Sequence, residues 1–147
     1  MKTKLSCFIA VLLLTNIMAY SQSKKVTPDP RLKEVFTEKE IADRMDVAPE
    51  KIDYYNFYLS NYCSVETSAP ANGVLKGDVS EIKSKPGYNW VMDSKSFDIQ
   101  SFNMLKYRIP LELDKKIYYT IGNSNTFLVF ISINEFSYKY KSQNITK

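Results

Sequence analysis

The hydrophobic period of this chain changes near residue 63, and that change limits the folds open to it. Before it, apolar residues recur at helical intervals: Ile41, Ala42 and Met45, then Ile52, Tyr55, Leu59 and Tyr62. Such spacing gathers side chains on one face of a helix. After it, apolar and polar residues alternate, as in Phe97 and Ile99 against Asp98 and Gln100. A period of two places the apolar set on one face of a strand. Helices followed by strands make an α+β fold. The expectation is therefore short N-terminal helices packed on a C-terminal antiparallel sheet, in a single domain over residues 31–147.

Local punctuation sharpens this reading. Asp29 before Pro30 predicts a helix start, with Asp capping and Pro at the first helical position, and "RLKEVF" as the short helix. Thr37 and Glu40 have the spacing of a capping box, which opens a second helix. Pro49 starts a third, running to about Asn61. Beyond it, "CSVET" is a short strand. Residues 68–89 carry Pro70, Pro86 and three glycines, and read as loops around a weak strand "DVSEI". "YNWVM", "SFDIQS" and "MLKYRIP" read as further strands, with Lys106 and Arg108 on a charged, solvent-facing edge. "KIYYTI" and "TFLVFISI" flank "GNSN", a hairpin signal. The second of these is apolar on both faces, so it belongs in the middle of the sheet. Asn134 is expected to cap a short C-terminal helix through Phe136 and Tyr140.

The opening "MKTKLSCFIAVLLLTNIMAYSQ" has Lys2 and Lys4, an apolar run, and small residues at Ala19 and Ser21. This is the pattern of an export signal cleaved after residue 21. Its apolar run falls short of the roughly 20 residues a spanning helix needs. Residues 22–30, polar and proline-bearing, read as a flexible segment behind it. Cleavage removes two lysines and no acidic residue, so the formal charge falls from +4 to +2. A nearly neutral chain exerts little pull on nucleic acid or anionic lipid. Loss of Cys7 leaves Cys63 alone, read as a buried small hydrophobe.

The chain has no histidine. That removes Ser-His-Asp and Cys-His chemistry and the commonest zinc ligand. None of the four glycines, Gly73, Gly77, Gly87 and Gly122, forms a phosphate loop or dinucleotide fingerprint. The expectation is a protein without cofactor or metal, and not an enzyme. Two arrangements oppose it. Glu112 and Asp114, two apart, share a face if extended, and paired carboxyls are what glycoside hydrolysis requires. Trp90 and Tyr88 offer ring faces on which a sugar can stack, which admits a carbohydrate-binding module. A third arrangement, "EIADRMDVAPEKI", has the apolar spacing of a helix-turn-helix. Its second helix nevertheless opens with Pro49, Glu50 and Lys51, continues with Asp53, and presents no basic footprint.

The helix "KIDYYNFYLSNY" holds more aromatic residues than one core-facing stripe can bury. Ile52, Tyr55 and Leu59 are expected to face the sheet, leaving Tyr54, Phe57 and Tyr58 partly at the surface, with Trp90 extending the patch. Tyrosine and tryptophan are enriched where partners bind, so these four are the candidate protein-binding residues. The signal ending "AYSQ", the "YYNFYL" helix and the run "FNMLKYRIP…YYTIGNSNTFLVFIS" resemble small exported proteins of gliding bacteria with type IX secretion. That resemblance implies a non-enzymatic accessory role, in the periplasm or at the outer membrane, on a large translocon complex.

Overall fold

The computed structural model describes residues 26–145; the expected export signal lies outside them. Asp29 caps a 3-10 turn over Pro30–Glu34 by accepting the Arg31 N–H, and Leu32 of that turn is fully buried. The predicted capping box forms next. Thr37 Oγ1 accepts the Glu40 N–H at 3.2 Å, while Glu40 Oε2 accepts the Thr37 N–H at 2.8 Å. Two otherwise orphaned donors are thus satisfied at the start of α1, Glu38–Val47. Ala48 alone separates α1 from α2, Pro49–Asn61. Asn56 of α2 accepts the Asp29 N–H and donates to the Thr27 carbonyl, each at 2.8 Å. The last residues of the expected flexible segment are therefore tied to α2.

Four strands follow: β1, Cys63–Glu66; β2, Gly73–Asp78; β3, Lys116–Thr120; and β4, Phe127–Phe130. Their spatial order is β1-β4-β3-β2. β4 pairs antiparallel with β1 and with β3, while β2 pairs parallel with β3. The class is α+β as expected, but the sheet is mixed rather than antiparallel. The reason is β2, which the proline- and glycine-bearing stretch hid. Leu75 and Lys76 face solvent and Gly77, at φ +130°, sits in a register shift, so no alternation marks the strand. The expected strand "DVSEI" is instead the end of β2 and a 3-10 turn over Val79–Glu81.

The hairpin and the central strand stand as read. The Ile121 N–H donates to the Thr126 carbonyl at 3.0 Å across "GNSN", and Gly122 takes φ +61°, a left-handed value glycine adopts without strain. Leu128 and Phe130 of β4 enter the common core with Ile117 and Tyr119 of β3. Val129, on the other face by alternation, is equally buried.

Residues 84–110 depart most from the expected strands. Ser84 forms one antiparallel bridge with Tyr107, and Met104–Lys106 is a 3-10 turn. "YNWVM" and "SFDIQS" are turns and irregular chain. The turn overrides the alternation, so Met104 and Lys106 point inward together with Tyr107. Lys106 is thus not on a solvent-facing edge. Its side chain is 4% exposed, ion-paired with Glu34, with Nζ 3.6 Å from the centre of the Trp90 ring.

The C-terminal helix α3, Ile133–Ile145, is capped by Ser132 rather than Asn134: Ser132 Oγ accepts the Glu135 N–H at 3.2 Å. Asn134 instead donates to Asp114 at 2.5 Å. Among the described residues no helix is long and apolar enough to cross a membrane.

Candidate functional site

The aromatic excess of α2 is met by α3. Phe136, 5% exposed, inserts its ring among those of the tyrosine helix, with centroids 4.7 Å from Tyr62, 5.3 Å from Phe57, 5.6 Å from Tyr58 and 5.9 Å from Tyr54. One turn on, the Tyr140 ring meets Tyr54 and Phe57, each at 5.2 Å. Tilted and edge-on pairs of this kind add to the burial energy of the rings. The start of α3 is fixed by backbone bonds from Ile133 and Asn134 to the carbonyls of Glu112 and Leu113, at 3.0 and 3.1 Å.

Helix α3 does not close over α2 completely. A groove of about 300 Å³ remains between them, walled by Tyr54, Tyr58, Tyr62, Ile133, Phe136 and Tyr140. Its rim is apolar and open: Tyr54 is 39% exposed and Ile133 38%, and Leu111 lines it as well. Lys141 is the charged residue that lines it. Tyr62 is 2% exposed, and its hydroxyl has no hydrogen-bond partner among the described residues. A buried unpaired hydroxyl costs stability, on the order of 1–3 kcal/mol. Burial raises the pKa of Tyr62 to about 12 and pushes those of Tyr58 and Tyr54 upward. All three stay neutral phenols near pH 7, able to donate as well as accept.

The structure separates the four candidate residues. Tyr54 and Tyr58 line the groove. Phe57 does not reach the surface; it is 9% exposed, packed against Phe136 and Tyr140. The sequence showed the C-terminal helix but not where it docks, and that docking buries Phe57. Trp90 does not extend the patch. It lines a separate pocket of about 150 Å³ with Phe97, Asp98 and Lys106, and no ring contact among the described residues joins it to the tyrosines. Ile133, Phe136 and Tyr140 are the groove residues sequence reasoning left out. Phe136 and Tyr140, four apart, do mark a helical face that needs a neighbour.

The other candidate residues do not line this groove. Glu112 pairs with Lys76 at 3.4 Å, and Asp114 accepts from Asn134. Asp114 lines a cavity of about 350 Å³ with Glu66, Lys116 and Glu135, and Glu112 does not line it. The α1–α2 pair lacks the three- to four-residue turn of a DNA-reading helix pair, since only Ala48 intervenes. Cys63 is a free thiol, half-buried against the core, and burial pushes its pKa up to about 11, away from the reactive thiolate. Among the described residues no group of three or more Cys, Asp or Glu could hold a metal ion. Comparison with family models, curated proteins and solved structures finds no match.

Proposed function

We propose that the protein is an exported, non-enzymatic accessory subunit of the cell envelope, and that the groove between α2 and α3 receives an apolar segment of a larger protein complex. One observation carries this reading: a groove walled by aromatic rings, with an open apolar rim and an unpaired tyrosine hydroxyl beneath it. Apolar walls with a few fixed polar groups are the make-up of binding sites. Rigid amphipathic rings lose little entropy when a partner covers them, which is why tyrosine recurs at interface hot spots. The resemblance of the "YYNFYL" helix and the hairpin region to exported type IX secretion proteins supports an outer-membrane translocon as that complex.

Ile133 tests the proposal cleanly, because its side chain stands on the open rim while its backbone fixes α3. Ile133 directly follows the Ser132 cap, where an acidic side chain suits the positive end of the helix, so a Glu there shifts stability by about 1 kcal/mol or less. A charge at a hot spot costs about 2 kcal/mol or more of binding, close to 30-fold. Ile133→Glu is therefore expected to melt like the parent protein yet recover at least about tenfold less of the partner from solubilised envelope. Undiminished recovery of the same partner would move the interface off this groove.

A further inference from the structure

The pocket behind Trp90 lies outside the groove and plays no part in the reading above. It combines three things: a half-exposed tryptophan, two carboxylates, and a buried ammonium that already occupies the tryptophan π-system. Trp90 is 54% exposed, and its backbone is clamped at both polar atoms by Ser84, whose hydroxyl accepts the Trp90 N–H at 2.9 Å and donates to its carbonyl at 2.6 Å. Ser84 in turn is bridged to Tyr107, so the loop bearing the indole is anchored to the body of the domain. Stacked rings of Phe102 and Tyr107, 5.3 Å apart, form the apolar side of the pocket.

Both carboxylates are set in place before any ligand arrives. Asp93 accepts the Lys95 N–H at 3.0 Å, and Asp98 accepts the N–H groups of Gln100 and Ser101 at 3.0 and 3.1 Å. Each oxygen so engaged keeps a second lone pair. These bonds also hold the Asp98 carboxyl below its usual pKa, so it is an anion and an acceptor at neutral pH.

We infer that this pocket is a subsite for a neutral pyranose, stacked on the exposed face of Trp90 opposite Lys106, with its hydroxyls donated to Asp93 and Asp98. A sugar ring presents a face of weakly positive C–H groups that suits the negative face of an aromatic ring, while its edge of hydroxyls needs fixed acceptors. The volume of about 150 Å³ suits one sugar ring rather than a longer ligand. A cationic ligand would also be drawn to two carboxylates and an indole. Here the Lys106 ammonium sits 3.6 Å from the ring centroid and repels a second cation at the same π-system. A neutral polyol meets no such repulsion. The Glu34 carboxylate balances Lys106, so the pocket does not need an anion either.

Trp90 is the only tryptophan of the chain, so its fluorescence reports this pocket alone. The full domain is titrated with glucose, galactose, mannose and N-acetylglucosamine and their short oligomers, and separately with tetramethylammonium. The expected result is a saturable change in Trp90 emission with at least one sugar, of millimolar affinity for a single ring. Asp93→Asn and Asp98→Asn should each weaken it at least about tenfold at unchanged melting temperature. Should Asp98→Asn disturb the turn it caps, Asp93→Asn carries the comparison. Flat titrations with every sugar overturn the inference. A saturable response to tetramethylammonium with none to sugars overturns it in favour of a cation site. Loss of partner recovery in Ile133→Glu, or its persistence, leaves these titrations unaffected.

Discussion

Two side chains hold polar groups where alternation and composition give no hint of them. Lys106 reads as an exposed member of a strand, but the 3-10 turn at Met104–Lys106 swings it inward, where Glu34 and the Trp90 ring receive its charge. Nothing in "MLKYRIP" marks that rotation, because the ion-pair partner lies in the first turn of the domain. Tyr62 ends the helical stripe of α2 as expected, yet its hydroxyl finds no partner among the described residues. Tyr62→Phe removes that unsatisfied group and leaves the ring, so stability should hold or rise by about 1 kcal/mol at pH 7. The pH dependence has a definite sign. A phenol of ordinary pKa near 10 that is raised to about 12 in the folded state favours folding below pH 10, and this contribution is lost as pH climbs from 10 to about 12. The Phe variant should lose less stability over that interval in chemical denaturation. Destabilisation by 1 kcal/mol or more at pH 7 would mean that the hydroxyl is bonded in the folded protein.

Among the elements, those with strong local chemistry were legible and those defined by distant contacts were not. The capping box at Thr37 and Glu40, the proline start of α2, the "GNSN" hairpin and the doubly apolar β4 each carry their cause within a few residues. β2 carries none, since it becomes a strand by parallel pairing with β3, about forty residues away by the register Val74↔Ile117. Helix α3 is intermediate, because its period was visible and its docking site was not. Phe136 is the single residue that joins it to four rings of the tyrosine helix and its cap. Phe136→Ala should therefore reduce the free energy of opening α3 by about 3–5 kcal/mol. In native-state hydrogen exchange the amides of residues 137–141 should become fast, while β3 and β4 stay protected. Equal loss of protection in the sheet would show that α3 is integral to the global core rather than a wall added to it.

At the scale of the whole molecule, the described residues share one core of aliphatic and aromatic side chains, from Leu32 through Ile52, Leu128 and Phe130, and Cys63 is a free thiol. The tyrosine excess that suggested a binding face is divided by the fold. Phe57 joins the core, Trp90 goes to its own pocket, and Tyr54 and Tyr58 remain at a groove completed by α3. Composition shows such an excess but not its division, because tertiary packing decides which rings are covered. The proposed role requires this groove, rather than another apolar part of the surface, to meet a partner in the cell envelope. Photo-crosslinking measures that most directly. A photoreactive phenylalanine analogue is placed at Tyr54 and Ile133 in the groove, and at Val47 and Leu75, exposed residues that do not line it. After irradiation of intact cells, one shared protein adduct is expected from Tyr54 and Ile133 and none from Val47 or Leu75. Adducts to that protein from Val47 or Leu75 with none from the groove positions would contradict it.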